Sequence, residues 1–161
     1  MEIRLALSSE LEQIISIEQI CFPPAEAASE EEIRSRFKVF GECFIVAVEE
    51  GKVLGFVNGC ITDKPELPDE LYHDTSMHKP DGNYQTVFGL DVLPEFQRKK
   101  IATKLMSFFI STAKERGKKG VVLTCKDHLI PFYTSCGFKH YGVSASSHGG
   151  SKWNDMLLIF E

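Results

Sequence analysis

The chain has 161 residues, of which 43% are hydrophobic and 25% charged, a composition typical of a single soluble domain spanning residues 1–161. Its formal net charge of −5 argues against a nucleic-acid partner, because nucleic-acid-binding domains normally present an excess of basic side chains. No apolar run approaches the roughly 18 residues of a membrane span, and the first residues lack an export-signal pattern, so we expect a cytoplasmic protein that binds no membrane.

The first part of the chain predicts a strand followed by two helices. Residues 2–7 alternate apolar and polar side chains, which is the pattern of a half-buried strand. Ser9 and Glu12 have the spacing of a capping box, and the helix that follows them ends before a pair of prolines. Ser29 and Glu32 form a second capping box, which predicts the start of the next helix.

The middle of the chain predicts a hairpin, a long loop and a central strand. Residues 43–48 and 53–61 are β-favouring runs joined by a Glu-Gly-Lys turn, which indicates an antiparallel hairpin. Residues 62–83 contain three of the seven prolines, and an irregular segment of this length in a compact domain is usually functional. Residues 84–92 form the predicted central strand.

The last part of the chain alternates helices and strands. An amphipathic pattern predicts the longest helix, and the short apolar run after it predicts a strand that is buried on both faces. The predicted ranges are a helix at 98–116, a strand at 120–125, a helix at 128–136, and strands at 138–143 and 153–160. We find no repeat and no linker, so the elements predict one α/β domain.

The five cysteines do not form a recognisable metal or redox motif. They are Cys21, Cys43, Cys60, Cys125 and Cys136, and none of them has CxxC spacing. We therefore expect reduced thiols, most of them buried, and no metal site.

The most informative segment is the corner between the central strand and the long helix. Four basic residues, Arg98, Lys99, Lys100 and Lys104, surround the predicted start of that helix. The first amide groups of a helix have no partner within the helix, and the helix dipole places partial positive charge there. The corner predicts a site for a phosphate-bearing ligand, and the alternative is that the basic side chains only solvate the helix.

A second segment, residues 131–138, predicts a short helix that ends on a glycine and leads into a strand through an aromatic side chain. The two segments together resemble the GNAT superfamily of N-acetyltransferases. Gln97, Lys100 and Ala102 occupy the three signature places of that family's Gln/Arg-x-x-Gly-x-Gly/Ala loop, and residues 132–138 match its Phe-Tyr-x-x-x-Gly-Phe segment.

The resemblance extends over nearly the whole chain. Within the superfamily, the chain most resembles the arylalkylamine (serotonin) N-acetyltransferases. Residues 123–133 are similar to their Cys-Glu-Asp-Ala-Leu-Val-Pro-Phe-Tyr segment, and the loop at residues 77–82 is also similar to theirs.

The resemblance implies an α/β (α+β) GNAT fold, with flanking helices and a mixed central sheet of about seven strands. The two central parallel strands splay apart in that fold, and acetyl-CoA lies in the gap between them. Strand backbone would pair with the pantetheine arm, and the basic corner would hold the pyrophosphate. The implied acetyl-CoA-binding residues are Leu90, Asp91, Val92, Gln97, Arg98, Lys99, Lys100, Ile101, Ala102 and Thr103.

The resemblance also implies that Tyr133 is the general acid that protonates the departing thiolate. A tyrosine with a pKa near 10 is protonated at neutral pH and can supply that proton. The chain departs from the family at Lys100, where glycine is usual. A Cβ at this position keeps the backbone farther from a phosphate, and the ammonium group partly compensates by its charge.

A general base is harder to identify. Thr86 and Phe88 stand where the arylalkylamine enzymes have two histidines, and neither side chain can accept a proton at pH 7. Position in loops suggests four candidates, each more often a surface group: Glu26, His73, His78 and His128.

The expected acceptor is a small hydrophobic or aromatic amine. Phe88, together with Phe22, Pro23 and Pro24, would make the substrate side apolar. One alternative is an acetyltransferase for protein lysines or N-termini, with a more open groove. Another is an acyl-CoA-binding sensor that has lost catalysis. Both a monomer and a homodimer remain compatible with the sequence.

Overall fold

The computed structural model describes residues 1–161 and contains nine β-strands and five α-helices joined by loops and 3₁₀ turns. The strands are β1 (Glu2–Leu5), β2 (Phe44–Glu49), β3 (Lys52–Asn58), β4 (Ile61–Thr62), β5 (Tyr84–Val87), β6 (Gly89–Val92), β7 (Gly120–Cys125), β8 (Lys139–Val143) and β9 (Asn154–Ile159). The helices are α1 (Leu11–Cys21), α2 (Glu30–Phe40), α3 (Glu70–His73), α4 (Ile101–Glu115) and α5 (Ile130–Ser135).

The strands form two sheets that share one interrupted central strand. The first sheet has the order β1-β2-β3-β6 and is antiparallel throughout. The second has the order β4-β5-β7-β9-β8, and its β5–β7 pair is parallel, with Thr86 opposite Val122. Strands β5 and β6 are consecutive in the chain, but only β5 pairs with β7. The expected mixed arrangement with splayed central strands is confirmed, with nine strand segments rather than about seven.

The interruption lies at Phe88, so the predicted strand 84–92 is two strands. The amide of Thr86 donates to the carbonyl of Cys60 at 2.9 Å, and the amide of Phe88 donates to the carbonyl of Asn58 at 2.7 Å. β3 ends at Asn58 and the antiparallel β4 begins only at Ile61, so the partner strand is also irregular at this point. As a result β6 leaves the line of β5, and its edge that faces β7 has no partner strand.

Two hydrophobic clusters lie on opposite faces of these sheets. One joins α1 and α2 to the sheet through large side chains such as Ile14, Ile33 and Phe44. The other joins α4 and α5 to the sheet through Leu105, Phe109 and other residues. Fully burying an aliphatic or aromatic side chain contributes about 1.5–3 kcal/mol, so both clusters hold the helices firmly against the splayed strands.

Of the two capping boxes predicted from the sequence, one is present in the structure and the other is not. Ser29 and Glu32 exchange the two hydrogen bonds of a capping box, at 3.1 Å each, as predicted. The predicted capping box of Ser9 and Glu12 is wrong. Glu10 instead accepts from the amide of Leu7 at 2.8 Å and pairs with Arg4, so a 3₁₀ turn precedes α1.

The segment predicted as a loop at 62–83 contains the short helix α3, and the strand predicted at 53–61 is divided into β3 and β4. The other elements match their predictions in kind and differ at their ends. The helix predicted at 98–116 begins at Ile101, because the three residues before it form a tight turn. None of the helices has both the length and the apolar character needed to cross a membrane.

Candidate active site

A cleft opens where β6 and β7 separate, and we call it the strand cleft. It encloses about 1620 Å³ of space, part of which is open to solvent, whereas pockets for small ligands typically hold about 300–1,000 Å³. Its walls come from β6, the corner after β6, the start of α4, and α5. The residues that line it include Phe22, Leu90, Val92, Phe96, Arg98, Lys100, Ala102, Lys126, Phe132 and Tyr133.

The basic corner at one end of the strand cleft has an unusual backbone. Arg98 and Lys100 both have left-handed conformations, with φ of 65° and 64°. Left-handed residues in a turn can point successive amide groups inward and form a concave anion site. Lys100 is also the N-cap of α4, and its side chain does not cap the first amides. The corner therefore combines the features of an anion site with two basic side chains.

Gln97 fixes this corner to the preceding strand. Its side-chain amide donates to the carbonyl of Val92 at 3.1 Å, and the thiol of Cys21 donates to the same carbonyl at 3.4 Å. These two contacts hold the end of β6 against the turn and against α1.

Nine of the ten residues predicted to bind the cofactor line the strand cleft, from Leu90 to Thr103. Lys99 does not, and its expected role does not fit this placement. Its ammonium group lies 5.5 Å from the ring centroid of Phe96, a residue in the wall of the cleft. Asp91 lines the cleft, but it is only 1% exposed.

A second cavity lies on the other side of the strand break, and we call it the aromatic cavity. It spans about 800 Å³ of space, part of which is open to solvent. The ring of Tyr72 lies 4.8 Å from that of Phe88 and 5.3 Å from that of His148, between centroids. His148 in turn lies 6.0 Å from Trp153. Carboxyl groups also line this cavity, and they belong to Glu18, Glu26 and Glu32.

Residues 144–153, which we call the cover loop, close one side of the aromatic cavity. His148 lies across the cavity with its Nε2 atom 3.0 Å from the carbonyl oxygen of Glu26. The hydroxyl of Ser151 donates to the carboxylate of Glu26 at 3.3 Å, and the ammonium of Lys126 lies 2.8 Å from that carboxylate. The cover loop is thus tied to the α1–α2 connection at a single residue, Glu26.

Tyr133 is a residue that the two cavities share. It lies on α5, is 7% exposed, and lines both the strand cleft and the aromatic cavity. Its ring packs edge-on against Phe132 and Phe138 at centroid distances of 5.0 and 5.8 Å. Burial raises the pKa of its phenol above the usual value, so the group remains protonated at neutral pH.

Two of the four residues predicted to bind substrate line the aromatic cavity. Phe22 lines both cavities and Phe88 lines the aromatic cavity, with the guanidinium of Arg36 4.6 Å from the centroid of its ring. Pro23 lies on the strand cleft instead, and Pro24 lines neither space. The α1–α2 loop turns after Phe22, which carries the prolines away from the aromatic cavity.

The four candidates for a base lie in different places. Glu26 and His73 line the aromatic cavity, and His128 lines the strand cleft. His78 lines neither, because it accepts from the amide of Ile61 at 3.1 Å and packs on Phe40. Thr86 is fully buried and donates to the carbonyl of Cys60 at 2.9 Å.

The sequence analysis missed most of the aromatic cavity and a buried carboxyl pair, Glu18 and Asp91. A signal for the pair exists in the sequence. Glu18 occupies a position on the apolar stripe of α1, and Asp91 interrupts an otherwise apolar strand. An acidic side chain at a core position is rarely placed there without a partner or a function.

Cys125 also lines the aromatic cavity. Burial raises the pKa of its thiol to about 11, so it is not a reactive thiolate at neutral pH. The structure contains no group of three or more His, Cys, Asp or Glu side chains arranged to hold a metal ion.

Comparison with known proteins gives two similar curated sequences of different origin. The serotonin N-acetyltransferase of Mesocricetus auratus is 29% identical over 120 residues, which cover 74% of this chain and 56% of that protein. The uncharacterized N-acetyltransferase YkwB of Bacillus subtilis is 27% identical over 118 residues, covering 66% and 52%. The chain thus spans about half the length of these relatives.

Solved structures share the fold at low sequence identity. A GNAT-like decarboxylase, GphF, solved with isobutyryl-CoA, superimposes with a TM-score of 0.84 at 19% identity, covering 99% of both chains. The ribosomal-protein-S18-alanine N-acetyltransferase of Escherichia coli gives a TM-score of 0.71 at 20% identity, covering 98% of this chain and 92% of the other. The sequence model of the Acetyltransferase (GNAT) family matches residues 11–138, which is most of the chain. The chain belongs to the GNAT family of acetyltransferases.

Proposed function

We propose that this chain transfers an acetyl group from acetyl-CoA to the primary amine of a small hydrophobic or aromatic molecule. The observation on which the proposal rests is that two cavities of different character meet at the side chain of Tyr133. One cavity has a basic corner and an unpaired strand edge, and the other has aromatic walls with carboxyl groups. A donor with phosphates and an apolar amine require these two environments on either side of one proton donor.

The strand cleft has the features that acetyl-CoA requires. The unpaired edge of β6 offers backbone donors and acceptors to the amide-containing pantetheine arm, and Leu90 and Val92 line the cleft there. The amides and side chains of Arg98 and Lys100 would hold the phosphates. Bound in this way, acetyl-CoA supplies the acetyl group as a reactive thioester.

The aromatic cavity has the features that an amine with an apolar body requires. The rings of Tyr72, Phe88 and Trp153 provide apolar contact, and the faces of Tyr and Trp also attract an ammonium group before it loses its proton. Carboxylates at the wall would attract the same charge. The similarity to serotonin N-acetyltransferases supports an arylalkylamine as the acceptor class.

The cover loop favours a small amine over a protein acceptor. A peptide needs an open groove on both sides of the reacting amine, whereas His148 and Ser151 bond to Glu26 across the aromatic cavity. An extended chain would have to break these contacts. A free amine needs no such opening on both sides of its reacting nitrogen.

Tyr133 would donate the proton that the departing sulfur needs. Its phenol is held in place by two edge-on aromatic contacts and keeps its proton because burial raises the pKa. The low-polarity surroundings also exclude water, which would otherwise compete with the amine.

The experiment that tests the proposed function compares free amines with peptides. Arylalkylamines, alkylamines and peptides with free N-termini or lysines are incubated with acetyl-CoA, and release of coenzyme A thiol is measured. We expect release with arylalkylamines and little with peptides. Release with peptides alone would assign the chain to the protein acetyltransferases. Binding of acetyl-CoA without release on any acceptor would indicate a sensor.

A further inference from the structure

Two carboxyl groups are buried together beneath the break in the central strand. Glu18 on α1 is 5% exposed and Asp91 on β6 is 1% exposed. A Cβ atom added at Gly89 would lie 3.0 Å from Oδ1 of Asp91 and 3.7 Å from Oε1 of Glu18, so both oxygens lie beside the same point of β6. Two carboxyl groups buried side by side cannot both be ionised without a large electrostatic cost, so the pair favours a form that shares one proton.

Three of the four oxygens of this pair have no hydrogen-bond donor. Oε1 of Glu18 and both oxygens of Asp91 are buried without a partner, and only Oε2 of Glu18 is satisfied, by the amide of Ala28 at 2.9 Å. An unsatisfied buried polar group costs about 1–3 kcal/mol, and more when it is charged. Packing alone does not account for such a pair, because apolar residues would avoid this cost.

Charged and titratable groups face the pair from three helices. Cys21 lies beside it on α1, Arg36 approaches from α2, and Tyr133 faces Asp91 from α5. Burial is the largest cause that raises the pKa of Asp91, and the neighbouring charge of Glu18 adds to it. Arg36 acts in the opposite direction, and it is itself buried with a hydrogen bond to the carbonyl of Tyr72 at 2.9 Å.

The position of the pair matches the function proposed above. Glu18 lines the aromatic cavity, Asp91 lines the strand cleft, and Tyr133 lines both. On the basis of that function, we propose that Glu18 and Asp91 together accept the proton that the amine loses before it attacks. The N–H bond of the ammonium breaks, and an O–H bond forms on the doubly ionised pair, which thereby becomes the form that shares one proton. The amine keeps the electron pair, and the carboxyl pair loses one negative charge.

This arrangement supplies the base that is absent at Thr86 and Phe88. An isolated exposed carboxylate is too weak a base for an ammonium group, and a proton acceptor works best when its pKa lies near the working pH. Burial and the neighbouring charge of Glu18 raise the pKa of Asp91, so the doubly ionised pair is a stronger base than an isolated carboxylate, without a histidine. Glu18 faces the amine, and the proton returns to water through the aromatic cavity.

The first test compares amines of graded basicity. Glu18→Gln and Asp91→Asn keep the shape of each side chain but remove the shared proton site. We expect kcat/KM for strongly basic amines to fall by about 100-fold, and the loss to shrink towards none for amines that are already neutral at the assay pH. A merely structural role would lower the rate equally for all amines, and that result would overturn the proposal.

Glu32→Gln is the matched control, because it removes the carboxylate 2.5 Å from Nδ1 of His73 at the mouth of the same cavity. We expect any loss in this variant to be independent of amine basicity. The reverse result, with basicity dependence in Glu32→Gln alone, would assign the proton to His73 and overturn the proposal. A wild-type protein that acetylates no amine would defeat the proposed function itself, whereas an active wild type with uniform losses would defeat only the inference.

The second test needs neither substrate nor cofactor. The pKa of Asp91 in the folded chain is raised above its ordinary value of 3.8. At a pH between the ordinary pKa and the raised pKa, the folded chain therefore holds a proton that the unfolded chain has released. The stability from that proton is complete below the ordinary value and is lost as the pH rises through the folded pKa. We expect the Tm of Asp91→Asn relative to wild type to increase with pH. A constant difference from pH 5 to pH 9 would overturn the shared proton, and Glu18→Gln repeats the measurement if Asp91→Asn does not fold.

Discussion

The strand cleft and the aromatic cavity meet at Tyr133, but they are built from different parts of the chain. The strand cleft is made largely by backbone, in the unpaired edge of β6 and the left-handed turn at Arg98 and Lys100. The aromatic cavity is made by side chains from α1, α2, α3, the strand break and the cover loop. A backbone site depends on a few local residues, whereas a side-chain site depends on how distant elements pack. We therefore expect the strand cleft to tolerate substitutions better than the aromatic cavity does.

The largest effect is expected at Tyr133, which lines both cavities. Tyr133→Phe should lower turnover by about 100-fold, because the ring and its packing remain while the proton donor is lost. Affinity for acetyl-CoA should stay unchanged, and single-turnover measurements should place the loss in the chemical step. Tyr141→Phe, which removes a hydroxyl from a residue that is 60% exposed, is the control. Normal single-turnover rates in Tyr133→Phe would make this tyrosine a packing residue only.

The same difference explains how much could be predicted from the sequence. The corner from Gln97 to Ala102 is one continuous segment, so its resemblance to the family's loop predicted five of the residues that line the strand cleft. Tyr72, His148 and Trp153 lie far apart in the chain, and only the folded structure brings their rings together. No local pattern distinguishes such residues from ordinary core or loop positions.

The backbone conformation of this turn could not be predicted from the sequence. The basic run predicted a helix from residue 98, but left-handed backbone at Arg98 and Lys100 delays α4 to Ile101. Left-handed φ values are unusual for residues other than glycine, and lysine gives no sequence signal for them. The strand break at Phe88 was missed for a similar reason, because the run 84–92 is uniformly β-favouring.

The second prediction tests the strand cleft as a whole. Acetyl-CoA should raise the thermal stability, by about 2.7 kcal/mol when its free concentration is 100 times the Kd, because it binds only the folded chain. A donor analogue without the phosphates should stabilise the chain less, since it cannot use Arg98 and Lys100. Added salt should weaken the effect of acetyl-CoA, because exposed charges are screened. The absence of any shift at millimolar acetyl-CoA would contradict the assignment of this cleft.

The third prediction tests the aromatic cavity through its cover loop. A Cβ atom at Gly149 would lie 2.6 Å from Cγ of Glu26, so Gly149→Ala should push the loop away from the α1–α2 connection. We expect KM for arylalkylamines to rise by about tenfold, equivalent to about 1.4 kcal/mol, with no change in acetyl-CoA affinity.

Gly150→Ala is a closely matched control for this substitution. Gly150 has a similar left-handed φ of 74° against 63° at Gly149, but a Cβ there would meet nothing within 4 Å. Both variants thus bear the cost of left-handed backbone, and only one disturbs the cavity. Equal KM values in the two variants would show that the cover loop does not shape the acceptor site.

The smallest effect is expected at Lys100, where charge and backbone act in opposite directions. A left-handed residue with a Cβ costs about 1–2 kcal/mol relative to glycine, so Lys100→Gly should unfold at a higher temperature than Lys100→Ala. Both variants lose the ammonium group, and only glycine relieves the backbone and lets a phosphate approach. We expect Lys100→Gly to bind acetyl-CoA within tenfold of wild type and more tightly than Lys100→Ala. Isothermal titration at low salt measures both affinities. A loss greater than tenfold in Lys100→Gly would mean that the ammonium makes an essential phosphate contact, and that the corner depends on a side chain after all.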